Sequence, residues 1–161
     1  MQIGHMALDG QSEHAAGREL LGQMYRGKTG QPLPEIRLTD RGKPYFAHSV
    51  WSFSISHTKN HVFCVLSSNP VGIDAEEMDR KIDLRLADKI LSPGEKARWD
   101  AAGDKRAAFL KLWVLKEAYA KLTGRGLGDY LYETDFDPKD PRILIIDGCY
   151  VAIMEEEKDA V

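Results

Sequence analysis

Val71-Gly72-Ile73-Asp74-Ala75-Glu76 and Trp113-Val114-Leu115-Lys116-Glu117-Ala118-Tyr119-Ala120-Lys121 are the two stretches of this chain best equipped for chemistry. The first sets carboxylates at i and i+2 among apolar residues, and in a strand both leave the same face. The second sets a carboxylate between two lysines on a largely apolar helix, with Glu117 and Lys121 one turn apart on a shared face. Acids and bases in apolar surroundings are costly to bury unless they pair or hold a metal. Each stretch alone has a plainer reading: the polar face of an exposed strand, and one intrahelical ion pair. Together they offer more. A strand carboxylate pair plus a helix carboxylate supplies the oxygen ligands that Mg²⁺ prefers, with water and phosphate completing the shell. Lysine and arginine nearby suit phosphate oxygens.

The elements that must position these groups are legible in outline. Ser12 is a candidate N-cap for a helix over 12–26, with Leu20, Leu21 and Met24 on its apolar face. Residues 27–34 read as a loop, and Ile36 with Leu38 as a short strand. Arg41-Gly42-Lys43-Pro44 reads as a turn before Tyr45-Phe46. Trp51, Phe53 and Ile55 alternate with Ser52, Ser54 and Ser56, which predicts a half-buried strand. Val62 to Leu66 predicts a more buried one, and Asn69-Pro70 a turn. A short helix follows over 84–91. Ser92-Pro93-Gly94-Glu95 carries a capping box with proline at the first helical position. Asp104 can cap a long helix to about Leu122, with Gly124 as its stop. Asp147-Gly148 between two apolar runs is a hairpin signal. Helix and strand occur on both sides of the Asn69-Pro70 turn, so the predicted class is α+β, divided into 1–69 and 70–161.

Composition narrows the function classes. The 161 residues are 43% hydrophobic, enough for a core, and carry a net charge of −3 with no Lys/Arg block. That argues against a nucleic-acid partner. No apolar run is long enough for a membrane span and no signal-peptide pattern opens the chain, so a cytoplasmic protein is expected. Cys64 and Cys149 lack metal-type spacing and read as buried free thiols. Residues 155–159 read as a charged end that frays.

Four segments, in order, carry a resemblance. They are Gly17-Arg18-Glu19-Leu20-Leu21-Gly22; Arg41-Gly42-Lys43-Pro44-Tyr45 with Phe53-Ser54-Ile55-Ser56-His57-Thr58; Val71 to Glu76; and Trp113 to Lys121 followed by Gly124-Arg125-Gly126-Leu127. Over roughly residues 12–128 the chain resembles the 4′-phosphopantetheinyl transferases of the larger, surfactin-synthetase-activating type, in a shortened form. The resemblance implies a monomeric pseudo-dimer of two similar α+β halves with coenzyme A in the cleft between them. It implies Mg²⁺ or Mn²⁺ held by Asp74, Glu76 and Glu117, with Asp74 also counted among the coenzyme A contacts. Lys121 would contact the pyrophosphate and stabilise developing charge, and Glu117, or a metal-bound water, would help deprotonate the serine of an apo acyl- or peptidyl-carrier protein. Arg18 and His57 would hold the ribose 3′-phosphate, Lys43 and Pro44 would border the adenine with Ser56 adding backbone contacts, and Lys116 would aid either coenzyme A binding or helix packing. Glu95 sits where such proteins carry an acid, but its place in the capping box explains it sufficiently. Two other readings compete: a metal-dependent phosphohydrolase or nuclease using the same carboxylates, and a coenzyme A- or carrier-binding module that has lost transfer.

Overall fold

The computed structural model describes residues 1–126, 128 and 132–156. Its strands are β1 (Gln2–Ala7), β2 (Ile36–Leu38), β3 (Pro44–Phe46), β4 (Ser52–His57), β5 (His61–Ser67), β6 (Val71–Glu77), β7 (Ile143–Ile146) and β8 (Cys149–Glu155). Its helices are α1 (Glu13–Thr29), α2 (Ala87–Ile90, entered through a 3₁₀ turn at Leu84–Leu86), α3 (Pro93–Asp100) and α4 (Lys105–Thr123). Helix and strand are mixed along the whole chain, as the composition of its two parts predicts. Leu127 and residues 157–159, named above, lie outside the described residues.

The caps are where the sequence places them. The Ser12 hydroxyl accepts from the Ala15 amide, and Asp104 accepts from Ala107. Both bonds of the Ser92/Glu95 box are present. Helix α1 runs on to Thr29, three residues past the expected end, because nothing before Gly30 stops it and Gly30 takes the left-handed cap conformation. The β7–β8 turn puts Asp147 and Gly148 at φ 47° and 73°, the positive pair that a two-residue hairpin requires.

Three sheets form: β1-β5-β4, β2-β3 and β6-β8-β7, all with antiparallel pairs. The first strand of each three-stranded sheet leads to a long helix. Helix α1 covers one face of the first sheet through Leu20, Leu21 and Met24 against Phe53, Val62, Cys64 and Leu66. Helix α4 covers one face of the other through Leu110, Val114 and Ala118 against Tyr150, Ala152 and Met154. The opposite faces meet in a shared core of Phe63 and Val65 with Val71, Ile73, Ala75, Cys149, Val151 and Ile153. The layers therefore run helix, sheet, sheet, helix. Both cysteines are free and buried, as expected from their apolar neighbours.

Two readings need correction. Strand β1 has no counterpart in the sequence analysis. Its inward positions are filled by Gly4 and by the partly buried Met6, too small a pattern to register. Strand β4 is not half-buried: Ser54 and Ser56 are as buried as Phe53. Their hydroxyls accept hydrogen bonds from the Ile73 and Ala75 amides of β6, both at 3.1 Å. These contacts advance two residues at a time along both strands, so β4 and β6 run parallel as edge strands joined through serine side chains.

Candidate active site

The site begins with a close approach. Strand β6 turns Gly72, Asp74 and Glu76 toward α4, and a Cβ on Gly72 would lie 2.1 Å from the Ala118 carbonyl oxygen and 2.5 Å from the Leu122 nitrogen. Only glycine lets β6 and α4 come this near, and that contact sets Lys121 against the strand acids. The buried Asp74 carboxylate accepts from Lys121 Nζ at 2.8 Å and from the Ser56 hydroxyl at 3.1 Å. Burial pushes the Asp74 pKa up, and Lys121 and Ser56 oppose it. Glu76 is ion-paired with Arg80 and accepts from the Trp113 indole. Burial raises its pKa too, against the Arg80 charge and with the Asp74 charge adding to the rise. Glu117 is pushed up to about 6, first by burial and then by Asp74, with Glu76 adding and Lys121 opposing. Glu76 and Glu117 thus each feel the charge of Asp74.

The three carboxylates expected to share a metal do not form a closed ligand set. Among the described residues no three His, Cys, Asp or Glu side chains are grouped so as to hold a metal ion. The physical reason is that the chain's own cations have taken two of the acids: Lys121 lies on Asp74 and Arg80 on Glu76. The donors still fit a hard divalent cation: three oxygen-only ligands, partly dehydrated and mutually repelling.

Two adjoining cavities lie beside this cluster; of its acids Glu117 lines the smaller, while Asp74 and Glu76 line neither. One, of about 310 Å³, is lined by Arg41, Lys43, Glu117, Lys121, Arg125 and neighbouring residues of β4. The other, of about 540 Å³, is lined by Glu13, His14, Arg18, Ile36, Leu38 and His57 among others. Gly42, Pro44, Phe53 and Ile55 border both, so the two are neighbours. The structure brings Arg18 and His57 together in the larger cavity, places Glu117 and Lys121 in the smaller, and sets Pro44 between them. Lys43 lines the smaller cavity with its ammonium on the Leu122 carbonyl at 2.5 Å, where burial lowers its pKa. Ser56 lines neither cavity and touches the site through Asp74.

Of the two roles open to Lys116, coenzyme A contact and helix packing, the structure supports packing. Lys116 is 1% exposed and lines neither cavity. Its Nζ donates to Glu95 at 2.7 Å and to the Thr134 hydroxyl. Glu95 Oε1 accepts from Thr134 and the Phe136 amide, and Oε2 from the Ser92 amide. Lys116 therefore anchors α4 to α3 and the 134–136 segment and does not reach the cleft. The sequence analysis missed Arg41, Arg125, His14 and Glu13 as cavity residues. Arg41 and Arg125 stand inside quoted motifs, beside Lys43 and Gly124, where a basic residue next to a glycine turn is a usable signal. His14 and Glu13 carry none beyond lying one turn before Arg18.

A cavity at the C-terminal end of α4, lined by Glu117 and by the basic Arg41, Lys43, Lys121 and Arg125, is of a class suited to anionic ligands handled with a cation. Residues 70–149 match the family model described as the 4′-phosphopantetheinyl transferase superfamily. The 4′-phosphopantetheinyl transferase gsp of Aneurinibacillus migulanus is 34% identical over 95 residues, 57% of this chain and 39% of that protein. The transferase psf-1 of Bacillus pumilus is 34% identical over 113 residues, 68% of this chain and 47% of its own length. The transferase AcpT of Escherichia coli (strain K12) is 35% identical over 113 residues, 66% of this chain and 57% of its own. The chain belongs to the 4′-phosphopantetheinyl transferase superfamily. It spans about half the length of the relatives it matches. No helix among the described residues is long and apolar enough to cross a membrane.

Proposed function

We propose that this protein transfers the 4′-phosphopantetheine group of coenzyme A to a serine of an apo acyl- or peptidyl-carrier protein. One observation carries the reading: two adjoining cavities, one lined by Arg18 and His57 and the other by Glu117 and Lys121, with Lys121 paired to the buried Asp74. A ligand phosphorylated at both ends of a nucleoside matches that spacing of charge. In the reaction, the serine oxygen attacks the β-phosphorus, the bond to the bridging pyrophosphate oxygen breaks, and adenosine 3′,5′-bisphosphate leaves. Glu117 accepts the serine proton. Lys121 leaves Asp74 for the pyrophosphate and offsets the charge that builds on the leaving oxygen. Pro44 borders the adenine and Arg18 with His57 holds the 3′-phosphate. Asp74, Glu76 and Glu117 would hold a divalent ion, Mg²⁺ or Mn²⁺, which when bound supplies further charge neutralisation at the pyrophosphate.

The proposal extends to architecture. Halves 1–69 and 70–161 form a pseudo-dimer of the larger, surfactin-synthetase-activating type, acting as a monomer in the cytoplasm. Support comes from strand order: β1-β5-β4 and β6-β8-β7 correspond strand for strand, each with its long helix after the first strand. The deciding experiment is mass spectrometry of an apo carrier protein incubated with this protein, coenzyme A and Mg²⁺. Gain of one phosphopantetheine is expected. An unchanged carrier alongside measurable coenzyme A binding would leave a binding module without transfer. Asp74→Ala should slow transfer by roughly a hundredfold or more, since it removes several kcal/mol of transition-state stabilisation.

A further inference from the structure

At the mouth of the larger cavity a carboxylate already faces the proposed phosphate seat. Glu13, the first residue of α1, places Oε2 3.0 Å from Nδ1 of His57, the last residue of β4. Both side chains are about half exposed. As a first-turn acid Glu13 gains a little from the dipole of α1, but no other contact fixes its carboxylate on His57: Ser12 caps the helix, and Glu13 is absent from the apolar clusters. Among the described residues it is the one acid lining a cavity otherwise furnished with His14, Arg18 and His57.

We infer that Glu13 is a specificity-determining residue: a resident anion that occupies His57 until a phosphate monoester displaces it, and that reclaims His57 as the phosphorylated product departs. The inference rests on the reading of this cavity as the seat of the phosphorylated ribose. A half-exposed pair of this kind is worth only a few-fold in an equilibrium constant, so a dianion can displace it. The displaced carboxylate then stands beside the phosphate and repels it. Ligands without the 3′-phosphate leave the Glu13–His57 pair intact and feel neither effect. Adenosine 3′,5′-bisphosphate keeps the same phosphate as coenzyme A, so Glu13 weakens the hold on substrate and product alike and shortens the life of the product complex.

The test is calorimetric titration of coenzyme A, dephospho-coenzyme A and adenosine 3′,5′-bisphosphate against wild type, Glu13→Gln, His57→Ala and the double variant. Glu13→Gln should tighten both 3′-phosphorylated ligands by about three- to tenfold and dephospho-coenzyme A by less than about twofold. In the His57→Ala background the gain should shrink to the part that relief of the Glu13–phosphate repulsion supplies. Weaker coenzyme A binding in Glu13→Gln, equal tightening of all three ligands, or the same gain without His57 would each overturn the inference. Equal binding of coenzyme A and dephospho-coenzyme A by the wild type would instead overturn the reading of the cavity as a phosphate seat, before Glu13 is tested.

Discussion

Glu117 sits in the fold at a cost that its function explains. Its pKa in the folded protein, about 6, lies above the ordinary 4.5. Without a metal, its ionised form is disfavoured by burial and by Asp74. The penalty is absent below the ordinary pKa, grows as pH rises between the two values, and is complete above about 6. Glu117→Gln should therefore stabilise the protein in chelator by about 1 kcal/mol at pH 7.5, after discounting for partial exposure, and by nothing at pH 4. Thermal unfolding at the two pH values checks this, and a gain that persists at pH 4 would contradict it. Lys116 presents the opposite case, a charge in the catalytic motif used for structure. Lys116→Ala strands the buried Glu95 carboxylate and should cost about 3–5 kcal/mol in urea unfolding. Pairing it with Glu95→Gln should recover part of that loss, because the uncompensated charge is gone. Helical spacing puts Lys121, and not Lys116, on the face of Glu117, but it does not say what Lys116 meets on its own side. The packing of α4 on α3 and the 134–136 segment decides that.

At the scale of elements, the contact between β6 and α4 makes the site, and a single glycine permits it. Gly72→Ala would force a methyl into helix backbone that cannot give way, with an expected loss of about 3–5 kcal/mol and of transfer together. Gly22 is the control. It lies in α1 with open space around its Cβ direction, so Gly22→Ala should stabilise by about 0.5–1 kcal/mol. Urea titration of both variants distinguishes a steric cause from a general intolerance of glycine replacement. The elements most legible in the sequence were those with local signatures: the Ser12, Ser92 and Asp104 caps, the Asp147-Gly148 turn, and the alternation in β6. Strand β1 was not legible because its inward side is nearly side-chain-free, Gly4 lying against Met24 and Leu20 of α1. Burial of the β4 serines was hidden for another reason. A hydroxyl that accepts a buried amide looks, in sequence, like one that faces water.

Across the whole molecule, those serines hold the two sheets together along one seam. The Ile73 and Ala75 amides lie on an edge of β6 with no neighbouring backbone to accept them, and Ser54 and Ser56 take that role. Further along the seam, the Thr58 hydroxyl donates to the Glu77 carboxylate at 3.2 Å, tying the loop after β4 to the end of β6. Removing either serine hydroxyl leaves a buried amide without an acceptor, at about 1–3 kcal/mol each. The two differ in what else they touch. Ser54 meets only the seam and the edge of the smaller cavity, whereas Ser56 also donates to Asp74. Ser54→Ala should therefore lower stability while retaining transfer within a few-fold of wild type at a temperature where the protein is folded. Ser56→Ala should lower stability by a similar amount and also slow transfer, by about tenfold, because Asp74 loses a donor that fixes its orientation. Since the shared core of Phe63, Val65, Ile73 and Val151 spans both sheets, each variant should still unfold in one transition. Two separated transitions in Ser54→Ala would show that the seam, and not the shared core, couples the halves, and equal activity in the two serine variants would show that the seam does not reach the acids beside α4.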